Sequence, residues 1–262
     1  MYKKQIILAL ETSYKLCSIA LWQSQNQDNK IIDYINHVGT KTHNQHLFPS
    51  IHNILSKANL KLQDLTGFAY GIGPGSYTGL RIGCAAIQGL AYSLNIPIYT
   101  CSSLRLIAQD YAAKNPNINK KILVISDAHA GDYYIGQYMI KNNLAENIKD
   151  SDNLTQLDLL LTKQEVLDLM KKYNINTHSN NNSNNNIDGV SYQSNAAYIG
   201  DAVNQFQISK QNTQSYAETL YFPTARAICD LLPQILLNDP IKPSNLEPVY
   251  LRTQNSWAKN KN

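Results

Sequence analysis

The stretch from Tyr70 to Leu94, Y-G-I-G-P-G-S-Y-T-G-L-R-I-G-C-A-A-I-Q-G-L-A-Y-S-L, constrains this chain more than any other. A short apolar segment runs into a glycine-proline turn. The turn opens a helix that carries Gly75, Gly79 and Gly83 at four-residue spacing. Glycine inside a helix costs about 1 kcal/mol relative to alanine. Repeated along one face, that cost implies close approach of something else: another backbone, a ligand or a partner helix.

Around this centre the pattern reads as alternating strands and helices. Gln5 to Leu10 is a continuous apolar run that ends at Glu11-Thr12-Ser13 and predicts a buried strand followed by a turn. Leu16–Trp22 and Lys30–Asn36 predict two more strands, separated by a polar loop over residues 23–29, so the chain opens as an antiparallel meander. A helix is expected within His43 to Asn59, with Leu47, Ile51, Ile54, Leu55 and Ala58 on one stripe. Pro49 either kinks it or delays its start to Phe48. Strand Gly67–Gly71, the glycine helix, strand Ile96–Thr100 and a helix from Ser102 to Lys114 complete a βββαβα order, with Ser102 or Ser103 as N-cap.

A second lobe begins near Lys120. Strand Lys121–Ser126 ends at Asp127, Ala130-Gly131-Asp132 turns the chain, and Tyr133–Ile140 returns. This echoes the opening of the first lobe, an acid at the end of a strand before a hairpin. Thr162 and Glu165 form a capping-box pattern for a helix to Tyr173. Residues 174–194, dominated by Asn and Ser, cannot bury apolar area and predict a disordered insert without an assigned function. A short strand at Ala196–Gly200, a helix at Ala225–Leu237 bent by Pro233, and an extended tail from Glu247 to Arg252 closed by Trp257 follow. The expected organisation is a lobe over residues 1–106, a second lobe over 107–221, and a C-terminal helix and tail, 222–262, packed back on both. The order of elements is that of an α/β protein with mixed, ribonuclease-H-like sheets in the actin-like, Hsp70-like (ASKHA) two-lobed arrangement.

The chain has 262 residues, 43% hydrophobic and 16% charged, enough for one large domain or two lobes. The net charge of +4 is scattered, with its densest groups at Lys3-Lys4, Lys120-Lys121 and Lys171-Lys172, and forms no stripe that demands nucleic acid. Cys17, Cys84, Cys101 and Cys229 lack any C-x-x-C spacing and read as core residues in a reducing compartment. The apolar run after Met1 is too short for a signal peptide, and no run reaches the ~20 residues of a bilayer span, so a cytoplasmic, membrane-free protein is expected.

Four chemistries deserve weighing. The Gly73-Pro74-Gly75-Ser76 turn at a helix N-terminus suits an anion, yet Leu80-Arg81 follows Gly79 where a phosphate loop needs Lys-Ser/Thr, and Ser76 replaces the third glycine of the dinucleotide pattern. Tight helix packing explains the turn better. His43 and His46 share a helical face, but His52 faces elsewhere and no third ligand follows, so no metal is expected. Glu11, with Thr12 and Ser13, and Asp127 end apolar strands where ligand-facing groups of α/β sheets gather, which makes them candidate nucleotide-cleft residues; solvated turn residues are the plainer reading. Neither Ser13 nor Ser76 lies in a G-x-S-x-G elbow. Finally, the stripe of the His43–Asn59 helix and the small-residue ridge beside it are a candidate protein interface built from His43, His46, Leu47, Ile51, Leu55, Gly75, Gly79, Gly83 and Ile87; alternatively, Ile82, Ile87 and Leu90 face the sheet behind.

Five segments resemble the TsaB (YeaZ) family: I-L-A-L-E-T-S (Ile7–Ser13), H-N-Q-H-L-F-P (His43–Pro49), Y-G-I-G-P-G-S-Y-T-G-L-R-I-G (Tyr70–Gly83), I-S-D-A-H-A-G-D-Y-Y (Ile125–Tyr134) and E-P-V-Y-L-R (Glu247–Arg252). The resemblance implies a role in making threonylcarbamoyladenosine beside the anticodon of tRNAs that read codons starting with A. It implies a noncatalytic paralogue of the transferase TsaD that pairs with it through the two helices just described, with the ATPase TsaE joining and tRNA met through the complex. It also implies a homodimer through the same surface, and no intrinsic cofactor, any ATP or ADP belonging to the complex. TsaD-like relatives carry two histidines four apart where this chain has, approximately, Ser103 and Ile107, and neither side chain replaces an imidazole on a transition metal. Glu11 departs from the Asp that family members often carry, which alters any inherited nucleotide geometry. The competing readings are a stand-alone phosphotransferase of the same fold and a metallopeptidase, the latter without ligand residues.

Overall fold

The computed structural model describes residues 4–26, 28–39, 43–148, 158–174, 196–206 and 221–252. These form two five-stranded mixed sheets. In the first, β1 (Gln5–Glu11) has β2 (Leu16–Gln25) antiparallel on one side and β4 (Gly67–Gly71) parallel on the other; β3 (Asp28–Val38) and β5 (Ile98–Cys101) are the edges. In the second, β6 (Lys120–Asp127) has β7 (Asp132–Lys141) antiparallel and β10 (Ala196–Ile199) parallel. The expected echo between the lobes is thus a real repetition of pairing. On its far side β7 pairs with both β8 (Leu144–Asn147), at its C-terminal end, and β9 (Leu159–Thr162), at its N-terminal end.

Strand alternation distributes the core. Ile6, Leu8 and Leu10 point to the face covered by α1 (His43–Lys57) and α2 (Tyr77–Leu94). Ile7 and Ala9 point to the opposite face, where α5 (Ala225–Ile235) lays Ile228, Leu231, Leu232 and Ile235 against the sheet. In the second sheet, Ile122 and Val124 meet α3 (Ser103–Lys114), and Leu123 and Ile125 meet Val166 and Met170 of α4 (Lys163–Asn174). The expected boundary after residue 106 falls inside α3. Leu106 of that helix joins the first core, whereas Leu104, Ile107 and Tyr111 join the second.

Several elements differ from expectation for local reasons. The predicted loop over residues 23–29 is largely strand, because β2 and β3 pair out to Gln25 and Asp28. Helix α1 runs from His43 without waiting for Phe48; Pro49, which cannot donate to the Gln45 carbonyl one turn back, is exposed, as is Gln45. β8 and β9, absent from the expected elements, are four residues each and take their strand pairing from β7. Two caps follow the sequence: Ser102 accepts from Leu104 and Arg105, and Glu165 accepts from the Thr162 N–H at 2.8 Å; the structure adds Ser76, which accepts from the Gly79 N–H. Residues 175–194 of the Asn-rich insert and Trp257 lie outside the described residues.

Candidate functional site: the ends of the two central strands

Both central strands end in an acid, and the two acids have opposite surroundings. Glu11 is 0% exposed. Its Oε1 accepts from the Ser13 N–H at 2.5 Å and its Oε2 from the Ser103 hydroxyl at 2.9 Å. Ser103 in turn accepts from the Gly73 N–H at 3.1 Å, while its own N–H donates to the Gly73 carbonyl at 2.9 Å. A Cβ at Gly71 would overlap the Glu11 carboxyl. Burial raises the Glu11 carboxyl to about 7, a rise that hydrogen bonds from Ser13, Ser103 and Thr12 only partly offset.

The glycine helix supplies the lid of this enclosure. The Ser76 N–H donates to the Ser13 carbonyl at 2.6 Å, and the Thr12 hydroxyl donates to the Gly79 carbonyl at 2.8 Å. A Cβ at Gly79 would overlap the Thr12 carbonyl oxygen, one at Gly75 the Ser13 carbonyl oxygen, and one at Gly83 the Thr12 hydroxyl. Gly79 and Gly83 of α2, and Gly75 in the turn just before it, therefore press on the β1–β2 turn of the same lobe; Gly75 lies outside the helix expected to carry it, because the helix starts only after the Ser76 cap. Gly73 sits at φ 97°, the left-handed region that favours glycine.

This corrects the expected interface. Leu47, Ile51, Leu55 and Ile87 are buried in the first core, and Gly79 and Gly83 are buried under Thr12, so none is free to meet another chain. Gly75 is half-buried against Ser13. The apolar stripe of a surface helix faces inward when a sheet lies behind it, and that alternative reading holds for Ile87. His43 is buried as well, with its ring nitrogen Nε2 3.3 Å from where a Gly79 Cβ would stand; burial lowers its pKa, opposed by a hydrogen bond to the Tyr14 backbone. His46 is half-buried and stacks on His37, ring centroids 4.3 Å apart, and takes part in no metal-ligating cluster among the described residues. The side of these helices left open carries other residues: Phe48 and His52 on α1, and Thr78, Ala85, Gly89 and Tyr92 on α2.

Asp127, by contrast, remains partly open to solvent. It accepts from the His129 N–H at 2.7 Å and lies 3.5 Å from the His129 ring. Its own N–H donates to Asp201 at 3.0 Å, and the other oxygen of Asp201 accepts from the Tyr14 hydroxyl at 2.6 Å. Tyr14 and Asp201 thus tie the β1–β2 turn to the second lobe. Sequence reading gave no sign of that pair, because 187 residues separate them. It also missed Asp158, a largely buried acid that accepts from the hydroxyls of Ser102 and Tyr138 and whose pKa burial raises. Of the four expected cleft residues, Glu11, Thr12 and Ser13 come together in one buried knot, and Asp127 stands apart from it on the second sheet. Ile107 packs in the second core, and Ser103 is occupied by Glu11 and Gly73, so that pair of positions offers no metal ligands.

Two mixed sheets, each with an antiparallel hairpin and a parallel return strand about its centre, define an actin-like α/β protein of the ASKHA class. Residues 34–237 match the family model described as TsaD: tRNA N6-adenosine threonylcarbamoyltransferase. The chain is 37% identical over 154 residues to the tRNA threonylcarbamoyladenosine biosynthesis protein TsaB of Bacillus subtilis, covering 59% of this chain and 64% of that protein. It is 33% identical over 162 residues to the TsaB of Buchnera aphidicola subsp. Schizaphis graminum, covering 62% and 74%. The solved structure of YeaZ from Pseudomonas aeruginosa superposes with a TM-score of 0.64 at 21% identity, covering 94% of this chain and 100% of that one, and shares the fold. The chain belongs to the family that this model describes, with the TsaB (YeaZ) proteins. The match spans just under two thirds of the Bacillus relative's length.

Proposed function

We propose that this chain serves tRNA threonylcarbamoyladenosine biosynthesis as a noncatalytic subunit that docks on TsaD, with TsaE joining the pair and tRNA bound through the complex. The observation that carries the noncatalytic reading is the packing around Glu11. The acid that a phosphotransferase of this fold would present to its cleft is sealed under the glycine helix, with Ser13 and Ser103 on its two oxygens. Nothing favours the phosphotransferase, and the metallopeptidase lacks a cluster of three ligand residues among those described. Any ATP or ADP requirement is assigned to the assembled complex.

The docking surface is placed on the open sides of α1 and α2. Phe48 is 55% and Tyr92 76% exposed, and exposed Ala85 and Gly89 leave the α2 backbone accessible between them. Exposed apolar groups beside small residues suit close helix-to-helix contact. A Cβ at Gly89 meets nothing within 4 Å, so Gly89→Arg tests the surface without disturbing the fold. Co-purification with TsaD is expected to weaken by about a hundredfold in Gly89→Arg, as for a central interface residue. A reconstituted tRNA modification assay, leaving out each component in turn, is expected to need this chain. Modification that proceeds without it, or ATP turnover by the chain alone, would end the reading. Undiminished TsaD capture by Gly89→Arg would remove this placement of the surface.

A further inference from the structure

The C-terminal segment crosses from one lobe to the other, and its two ends are held very differently. At the first lobe, Leu246 is buried in the core, with the Cys84 thiol 3.6 Å from its carbonyl, and the Val249 N–H donates to the Ile72 carbonyl at 2.8 Å. The Val249 carbonyl lies over Gly73, 3.2 Å from where a Cβ would stand. Tyr250 leans on Tyr77 of α2, ring centroids 5.2 Å apart, with Arg81 Nε 3.4 Å from its hydroxyl. Backbone bonds and core burial fix this end.

At the second lobe, among the described residues of this segment, the Arg252 side chain makes the connection. The Arg252 guanidinium donates to the carbonyls of Ala128 at 3.3 Å and His129 at 2.8 Å and pairs with Asp132 at 2.7 Å. Its side chain is only 6% exposed. Removing one partner of a pair whose arginine is so desolvated leaves the other charge stranded, so loss of either side chain weakens the grip sharply. The turn it grips is also held in an unusual backbone conformation: His129, Ala130 and Gly131 have φ of 62°, 53° and 83°. Two successive non-glycine residues in the left-handed region persist only where their surroundings impose it, and Arg252 binds the carbonyls on either side of the first.

We propose that residues 246–252 are a strap that holds the two lobes closed, with the Arg252 grip on Asp132 and the β6–β7 turn as its releasable end. When that grip opens, the turn relaxes and the lobes swing apart about α3, which packs in both cores, against the Tyr14–Asp201 tie. Few-residue hinges and side-chain latches of this kind set closed-to-open equilibria in two-lobed proteins.

All four native cysteines are buried, so spin labels at Gln63→Cys and Lys172→Cys, exposed positions on the two lobes, report lobe separation specifically. Pulsed dipolar spectroscopy on the full chain is expected to give one dominant distance. Arg252→Ala is expected to raise the longer-distance population by about tenfold or more. Arg252→Lys, which keeps the charge but loses the forked geometry, is expected to give an intermediate shift, and Asp132→Asn a smaller one. Should Arg252→Ala not fold, as judged by circular dichroism, the Lys and Asp132→Asn chains decide. Distance distributions that superimpose on that of the chain with native Arg252 would overturn the strap.

Discussion

The ends of β1 and β6 share a plan and differ in outcome. Each is a central strand with an antiparallel hairpin partner, a parallel return neighbour and a terminal acid. Glu11 is sealed by α2, whose Gly79 and Gly83 press its backbone onto Thr12, and by the turn before it, whose Gly75 presses onto Ser13. Among the described residues no such helix covers Asp127, which meets a surface turn, His129 and Asp201. Equivalent places in a repeated topology are thus separated by packing alone. A carboxyl 0% exposed, with both oxygens engaged by the protein, is part of the interior, whereas its counterpart remains a surface group.

The contrast can be broken most severely at the glycine helix. Gly83→Leu is expected to destabilise the chain by about 3 kcal/mol or more in a denaturant titration, since the added atoms meet the Thr12 hydroxyl and the Tyr70 ring. Gly89→Leu, on the open side of the same helix, is expected to be neutral or stabilising by up to about 1 kcal/mol. Equal effects at the two glycines would mean that the turn does not seal Glu11.

The next largest effect is a pH dependence. The Glu11 carboxyl sits at about 7 when folded and near 4.5 when unfolded, so between those values the folded state holds the extra proton. Its stabilising effect is therefore complete below pH 4.5 and lost as pH rises through 7, about 3 kcal/mol in all. Glu11→Gln, which keeps the shape without the charge, is expected to flatten this slope and to unfold at higher denaturant than the unmodified chain at pH 8. A slope unchanged in Glu11→Gln would place the titration elsewhere.

Smaller effects sharpen the second half of the comparison. Tyr14→Phe removes the hydrogen bond to Asp201 and is expected to cost about 1 kcal/mol. Asp127→Asn, at a partly solvated turn, is expected to change stability by no more than about 0.5 kcal/mol in the same titration. A loss comparable to that of Gly83→Leu would show Asp127 to be as integral as Glu11.

Much of the fold was legible from local pattern. Strand Gly67–Gly71, the glycine helix, the cap at Ser102 and the Thr162–Glu165 box follow from residues a few positions apart. The hairpin echo between lobes was legible because both central strands end in an acid before a turn. β8 and β9 were not, because their short strands are defined by β7 rather than by their own alternation. The inward facing of the expected interface side chains was not legible for a related reason. Helical spacing shows that Leu47, Ile51 and Leu55 share a face, but only the sheet behind them shows that the face is inside.

The amino-acid order alone determined most of the elements, the family and the demand that something press against Gly75, Gly79 and Gly83. Those are properties of spacing and residue type, written within a few turns of chain. Tertiary structure decided what presses there, which acid is buried, and that Tyr14 meets Asp201 and Arg252 meets Asp132. Burial and long-range pairing depend on which surfaces the folded backbone brings together, and segments more than a hundred residues apart carry no local sign of their neighbours.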